Sequence, residues 1–478
     1  MKRTVSIILI LIILISAGAC RKVGPAVIIP EKDVETDDFV RLAPGVAPEM
    51  TLPDYWIKDN SFADVILSAD MIKKFNEDNG KLISTKSAGN FSLESIKSSI
   101  SGTVVKEIIN SLKFPEDEQF INGLKVGSEY WLNLKENCNI NAVPEKVDVK
   151  FGYGVVRDTL RQFPTDDYAN VDYDDYFYDS FIMSDFMPFS PVAVLHTSAD
   201  NEWYFVATYC CCGWIEQKNV AICPSREDWI DRMNPESFLV VTGRELRLSN
   251  DPYCPELSGL LLPMGTKLPL VKAENAPSSI NQRYTFGCYV VKLPVRLSDG
   301  SISDFYSLIP SGSDVSVGYI PYTAGNVINL ALKLQGDIYG WAGDFNSNDC
   351  SGIIREIFRC FGMEFPRVGG QQVNVTGLRK EDVSALDDAQ KKDYISKLKP
   401  GSLLYFPGHI MIYLGLDEKG EPYALSSVGS IATPELNNGE VMQVNTVLIA
   451  GLIRTSRKTG ATWLSSITKI LESKPENV

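Results

Sequence analysis

An α+β protein built from several domains is what this sequence predicts, and three observations predict it. Apolar residues recur at helical spacing near the N-terminus and again after residue 323. Between them lie two stretches of short, β-rich runs split by turn residues. The chain, at 478 residues, is long enough for about three domains, each with its own core.

The elements follow in order. Ser68-Ala69-Asp70 reads as an N-cap ahead of Met71, Ile72 and Phe75, and Ser92 to Ile109 repeats that kind of pattern. Residues 40 to 150 are therefore expected to be a helical, capping region. Asp166 to Asp185 is rich in Asp and Tyr but lacks the spacing of a calcium loop, so it reads as a solvated connector. Val192–Leu195, Trp203–Thr208 and Gly213–Ile215 are strands of a small barrel. A second β-rich stretch runs from Ser237 to about Tyr322, with a hairpin turn at Asp299-Gly300. Val327, Leu330, Ala331 and Leu334 then fit one helical face.

Composition excludes several functions. A net charge of −14 gives no basic footprint for nucleic acid. The ten cysteines contain no CxxC pair, and two histidines cannot build a His-rich zinc site, so no metal and no cofactor are expected. At the N-terminus, Lys2-Arg3, the apolar run Val5–Ile15 and the small residues Ser16–Ala19 form an export signal. Either cleavage follows Ala19 as an ordinary A-x-A site, or Cys20 is acylated, the reading favoured here. Residues 20 to 39 would then be a tether, placing the protein at the cell envelope on a lipid anchor.

Chemistry concentrates in two segments. Asp349-Cys350-Ser351-Gly352 precedes Ile353, Ile354, Ile357, Phe358 and Phe361, which puts Cys350 in the first turn of a helix. Free N–H groups and the helix dipole favour an anion there, so the thiol pKa is expected to fall. Cys360, deeper in the same helix, fits a structural thiol. A cysteine nucleophile needs a proton shuttle. His409 begins the second of two strands, 403–406 and 409–415, whereas His196 follows a barrel strand and reads as a packing residue.

Tyr339-Gly340-Trp341, Asp349-Cys350-Ser351-Gly352, Phe361-Gly362 with Pro366-Arg367, and Gly408-His409 with Tyr413-Leu414-Gly415 together resemble the NlpC-type papain-like cysteine peptidases. Asp64–Leu67 with Phe75-Asn76 resembles the clip domain of some members. Arg161–Thr165 resembles the linker into the first SH3-like barrel, and Trp203–Val206, Gly213–Ile215 and Phe238–Tyr322 resemble two such barrels. The resemblance implies a clip domain (40–160), two barrels (161–235 and 236–322) and a peptidase domain (323–478). It implies cleavage of peptidoglycan stem peptides or muropeptides, commonly between D-glutamate and the diamino acid, by a chain expected to be monomeric.

By the resemblance, Cys350 attacks the carbonyl, His409 holds the thiolate as an ion pair and protonates the leaving amine, and Tyr339 either donates to the oxyanion or only packs. Asp349, Ser351, Trp341 and Arg367 are expected to contact substrate. Tyr209, Asp200 and Trp214 are the candidates by which the first barrel walls the cleft. Two departures stand out. The third catalytic position falls on Ser426, which either accepts from the ring N–H or merely packs. After Pro366-Arg367 the chain has Val368-Gly369 in place of a charged anchor for a free stem L-alanine, with Gln371 and Gln372 as polar substitutes. An alternative follows: a lipoprotein with a decayed site that binds cell-wall fragments.

Overall fold

A computed structural model describes residues 40–81, 91–436 and 439–476; the export signal, the tether and Cys20 lie outside the described residues. Three antiparallel sheets carry the architecture. The first has the strand order Val220–Ile222, Lys150–Gly154, Pro191–Thr197, Trp203–Ala207, Cys212–Glu216, Asp158–Arg161 and Ile182–Phe186. Its pairing therefore begins upstream of residue 161. The second sheet orders Ile302–Pro310, Cys288–Arg296, Lys267–Val271, Phe238–Val241 and Val315–Val317. The long hairpin 288–310 turns at Gly300, whose φ of +87° suits glycine. The third sheet orders Leu378–Asp382, Lys469–Pro475, Leu403–Phe406, His409–Leu416, Pro422–Ile431 and Met442–Gly451, every neighbouring pair antiparallel.

Two helices cover this third sheet. Ala324–Leu332 is capped by Thr323, whose side chain accepts from Asn326 N–H, and buries Val327, Ile328, Leu330 and Ala331. Cys350–Arg359 buries Ile353, Ile354, Ile357 and Phe358 in the same core as Leu403, Ile410, Ile412, Leu414 and Leu425. The opposite side of this helix carries charge. Arg355 and Arg359 pair with Asp185 of the first barrel, and Arg157 reaches Glu356 at 3.0 Å. The helix is thus clamped between an apolar sheet and a buried ionic layer.

Among the described residues, the N-terminal region has no core of its own. Trp56, Leu67, Ile72 and Phe75 belong to the core of the third sheet, and the Trp56 indole donates to Met50 C=O at 2.7 Å. Leu93, Val105, Ile108 and Val143 instead pack with Phe151, Trp203, Trp214 and Trp229 of the first sheet. One helix spans Ala69–Asn79 with Ser68 as N-cap, but Met71 is exposed, off the buried stripe of Ile72 and Phe75. Ser92 opens only a 3-10 turn, Leu93–Ser95; the strand Ser99–Ser101, paired with Lys146–Asp148, follows, and the next α-helix begins at Gly102. A Cβ on Gly102 would sit 1.7 Å from Pro144 O, so close backbone approach demands glycine.

The stretch 166–185, expected to be solvated, is partly interior. Asp179 is buried against Arg161 at 2.9 Å, and Asp185 holds the arginines of the catalytic helix. Residues 41–478 form one compact unit. Among the described residues, no helix is long and apolar enough to cross a membrane.

Candidate active site

The nucleophile candidate is set by its cap. Asp349 closes the helix N-terminus, accepting from Ser351 N–H at 3.1 Å and Gly352 N–H at 2.8 Å. Its other oxygen takes Ala342 N–H at 3.2 Å, and Arg367 bonds both oxygens while donating to Ser351 Oγ at 2.7 Å. Asp349, Ser351 and Arg367, expected to contact substrate, therefore commit these polar atoms to one another and fix the helix start. Gln372 is likewise committed, donating to Ser351 C=O and Pro366 C=O at 2.9 Å each, while Gln371 is exposed.

The loop before the cap is strained. Ala342 and Phe345 have φ of 52° and 56°, values that side-chain-bearing residues rarely adopt. A Cβ on Gly343, at φ 104°, would stand 2.6 Å from Asp185 Cα. The barrel thus presses directly on the loop that leads to Cys350.

His409 follows the tight turn Pro407-Gly408, where Gly408 has φ 90°, and opens the strand against which the catalytic helix packs. Its Nε2 lies 2.7 Å from Ser426 Oγ on the neighbouring strand. Ser426 is wholly buried, and its hydroxyl points at Ser427 C=O, 3.5 Å away. With Oγ accepting from Nε2–H, the ring is the tautomer with a free Nδ1 lone pair. Phe406 and Trp463 flank the ring at 5.2 and 5.5 Å between centroids.

The charge state departs from expectation. Burial pushes the Cys350 thiol up to about 12, with the Asp349 carboxylate adding to it and the N–H groups of Ile410 and Ser351 opposing. Burial and then the Arg457 cation bring His409 down to about 4. Both shifts favour the neutral thiol and the neutral imidazole over an ion pair. The reason is physical: enclosure penalises both charged forms, and the Asp349 carboxylate beside Cys350 further opposes a thiolate.

Tyr339 is buried, and its phenol stays protonated through burial and the nearby Asp349 carboxylate, so it is a donor. Its ring packs against Tyr178 at 5.8 Å, and Tyr178 meets Trp341 at 5.6 Å. The first barrel thus reaches the site through Tyr178, whose own ionisation is opposed by burial, Asp175 and Cys350. The expected candidates stand elsewhere. Tyr209 lies beneath the catalytic helix, its hydroxyl accepting from Arg355 Nη2 at 2.6 Å. Asp200 bonds Ser198 and Asn137, and Trp214 is barrel core. His196 bonds Asn139 C=O at 3.0 Å beside Trp214. Tyr178, Phe406, Trp463 and Arg457 were missed; only their aromatic or cationic character marked them. Among the described residues, no cluster of three His, Cys, Asp or Glu side chains is placed to hold a metal, and all nine cysteines are free thiols.

Comparison with known families places this geometry. Residues 336–463 match the model of the NlpC/P60 family. The C-terminal domain belongs to the NlpC/P60 family. It is a papain-like cysteine peptidase domain. Residues 168–216 match an SH3 domain of the SH3b1 type, so this NlpC/P60 domain follows an SH3b barrel in the chain. A solved NlpC/P60 endopeptidase from Photobacterium damselae subsp. piscicida is similar in fold, with a TM-score of 0.67 and 16% identity over 89% of this chain and 97% of that one. An NlpC/P60 family protein from Bacillus cereus is 16% identical over 68% of this chain and all of its own length, with a TM-score of 0.47. No curated protein sequence matches the chain.

Proposed function

We propose that this chain is a peptidoglycan hydrolase that cleaves stem peptides at the bond between D-glutamate and the diamino acid, acting at the cell envelope from a lipid anchor on Cys20. The observation that carries the reading is the set of Cys350 at a capped helix start and His409 with its Nε2 held 2.7 Å from Ser426 Oγ.

The chemistry then runs from a neutral pair. As Cys350 Sγ attacks the glutamyl carbonyl carbon, its proton passes to His409 Nδ1. The tetrahedral oxyanion is met by the Tyr339 hydroxyl and a backbone N–H at the helix start. His409 returns the proton to the leaving amine, and the bond breaks to give a thioester. Water, deprotonated by His409, releases the glutamyl acid and restores the thiol. Ser426 keeps the imidazole oriented throughout. Tyr178 and Trp341 form the aromatic wall along which the stem lies.

The test is hydrolysis of defined stem peptides, with and without a free N-terminal L-alanine, by the mature protein and by Cys350→Ala. Cleavage that disappears in the variant supports the reading. Binding of muropeptides by the wild type without cleavage overturns it in favour of a cell-wall-binding protein. Mass spectrometry of the native N-terminus should show a diacylglyceryl Cys20; an unmodified Cys20 would refute the anchor.

A further inference from the structure

We propose that Arg457 is a docking cation for a carboxylate on the leaving side of the scissile bond, so that the enzyme selects stems whose diamino-acid residue carries a free carboxylate next to the departing amine. This rests on the peptidase reading above and adds a substrate requirement to it.

Arg457 is placed by a tight turn. Its N–H donates to Ala461 C=O and its carbonyl accepts from Gly460 N–H, both at 2.9 Å, while the preceding Ser456 bridges to Ala432 and Thr462. The guanidinium lies 4.7 Å over the Phe406 ring. Phe406 is the strand partner of His409, their rings 5.2 Å apart. The cation is therefore one aromatic ring from the catalytic imidazole, beside the exposed turn Pro407-Gly408.

This cation lacks an acid. In a chain of net charge −14, acids are abundant, and the other arginines around the domain have them: Arg367 with Asp349, Arg355 with Asp185, Arg157 with Glu356 and Arg454 with Glu435. Among the described residues, Arg457 has no carboxylate; its remaining polar contact is Pro407 C=O at 3.4 Å.

The location carries a cost that substrate can remove. His409 must accept a proton, and an uncompensated cation beside it opposes that step. The residue leaving the active site departs from His409, because His409 protonates its amine. A carboxylate adjacent to that amine would meet Arg457 in a charge-assisted pair. It would neutralise the cation and support the imidazolium as it forms. The correct substrate thus improves its own base, and a leaving residue with an amidated or peptide-bonded carboxyl does so less.

The experiment uses the mature chain and two γ-D-glutamyl–diamino acid peptides, identical except that the leaving residue ends in a carboxylate or a carboxamide. The wild type should favour the carboxylate by about tenfold in kcat/KM, the ratio expected of one partly exposed charge-assisted contact. Arg457→Gln should bring that ratio close to one, and Arg457→Lys should restore part of it. The acid limb of kcat, which reports the bound complex, should lie at higher pH for the carboxylate peptide than for the carboxamide, a difference that a purely structural role would not produce. Equal cleavage of both peptides by the wild type overturns the inference alone. Cleavage of neither overturns the peptidase reading and the inference with it.

Discussion

At Cys350 and His409, enclosure decides the protonation state. A thiol held near 12 and an imidazole near 4 leave the neutral pair populated across the whole physiological range. The expected pH profile follows with its sign. On carboxamide peptides kcat/KM should rise as His409 loses its proton near pH 4, then stay level past neutrality, because the thiol does not titrate there. A preformed thiolate–imidazolium pair would instead lose activity as its imidazolium deprotonates, so an alkaline fall near pH 8 would refute the neutral pair. The same group contributes to stability. Its folded pKa lies below the unfolded value of about 6.5, so its contribution is present above that pH and lost as pH falls toward 4. Ser426 acts through one hydrogen bond of 2.7 Å. Ser426→Ala should lower kcat about tenfold with little change in KM, the size expected from losing one orienting bond; an unchanged kcat would reduce Ser426 to packing. This residue was legible in the sequence as a position, but the direction of its hydroxyl needed the neighbouring Ser427 carbonyl.

The catalytic helix is the element that joins the parts. Its apolar face was readable from Ile353, Ile354, Ile357 and Phe358. Its second face was not, because charged residues such as Arg355, Glu356 and Arg359 ordinarily face solvent, yet all three are buried. Asp185 supplies the compensating carboxylate, and the arginines hold its pKa well below the ordinary range. Its stabilising effect is therefore present above the usual carboxylate pKa and lost only in strong acid. Asp185→Ala leaves two arginines buried without an acid, and should cost about 3–5 kcal/mol in urea unfolding. A loss under 1 kcal/mol would show that water enters this layer. Gly343→Ala adds a Cβ against Asp185 at an unfavourable φ, and should destabilise by about 1–3 kcal/mol while displacing the loop that carries Tyr339 and Trp341.

For the whole molecule, the N-terminal residues complete other domains' cores. Trp56 and Phe75 sit in the core of the third sheet, and Leu93 and Val105 in that of the first. Trp56→Ala should cost about 3–5 kcal/mol by thermal or urea melting. Residues 323–478 expressed alone would expose the apolar surface that Trp56, Leu67 and Phe75 cover, and should aggregate, whereas 41–478 should not. A monomeric, cooperatively melting 323–478 fragment would refute this dependence.

The sequence by itself determined the α+β class, the Cys350 helix, the His409 strand and some of the strands of the first two sheets, among them Pro191–Thr197, Trp203–Ala207 and Phe238–Val241. Each of these rests on local periodicity, caps or turns, which act over a few residues. Tertiary structure decided the rest. Tyr178 packs against Tyr339 and Trp341 while Tyr209 lies beneath the helix, a difference set by how the first barrel docks. The N-terminal region divides between two cores, and the Asp/Tyr-rich stretch turns inward to hold arginines. The Cys350 pKa is raised, not lowered, because desolvation depends on everything packed around a group, and helix position supplies only one of the opposing effects.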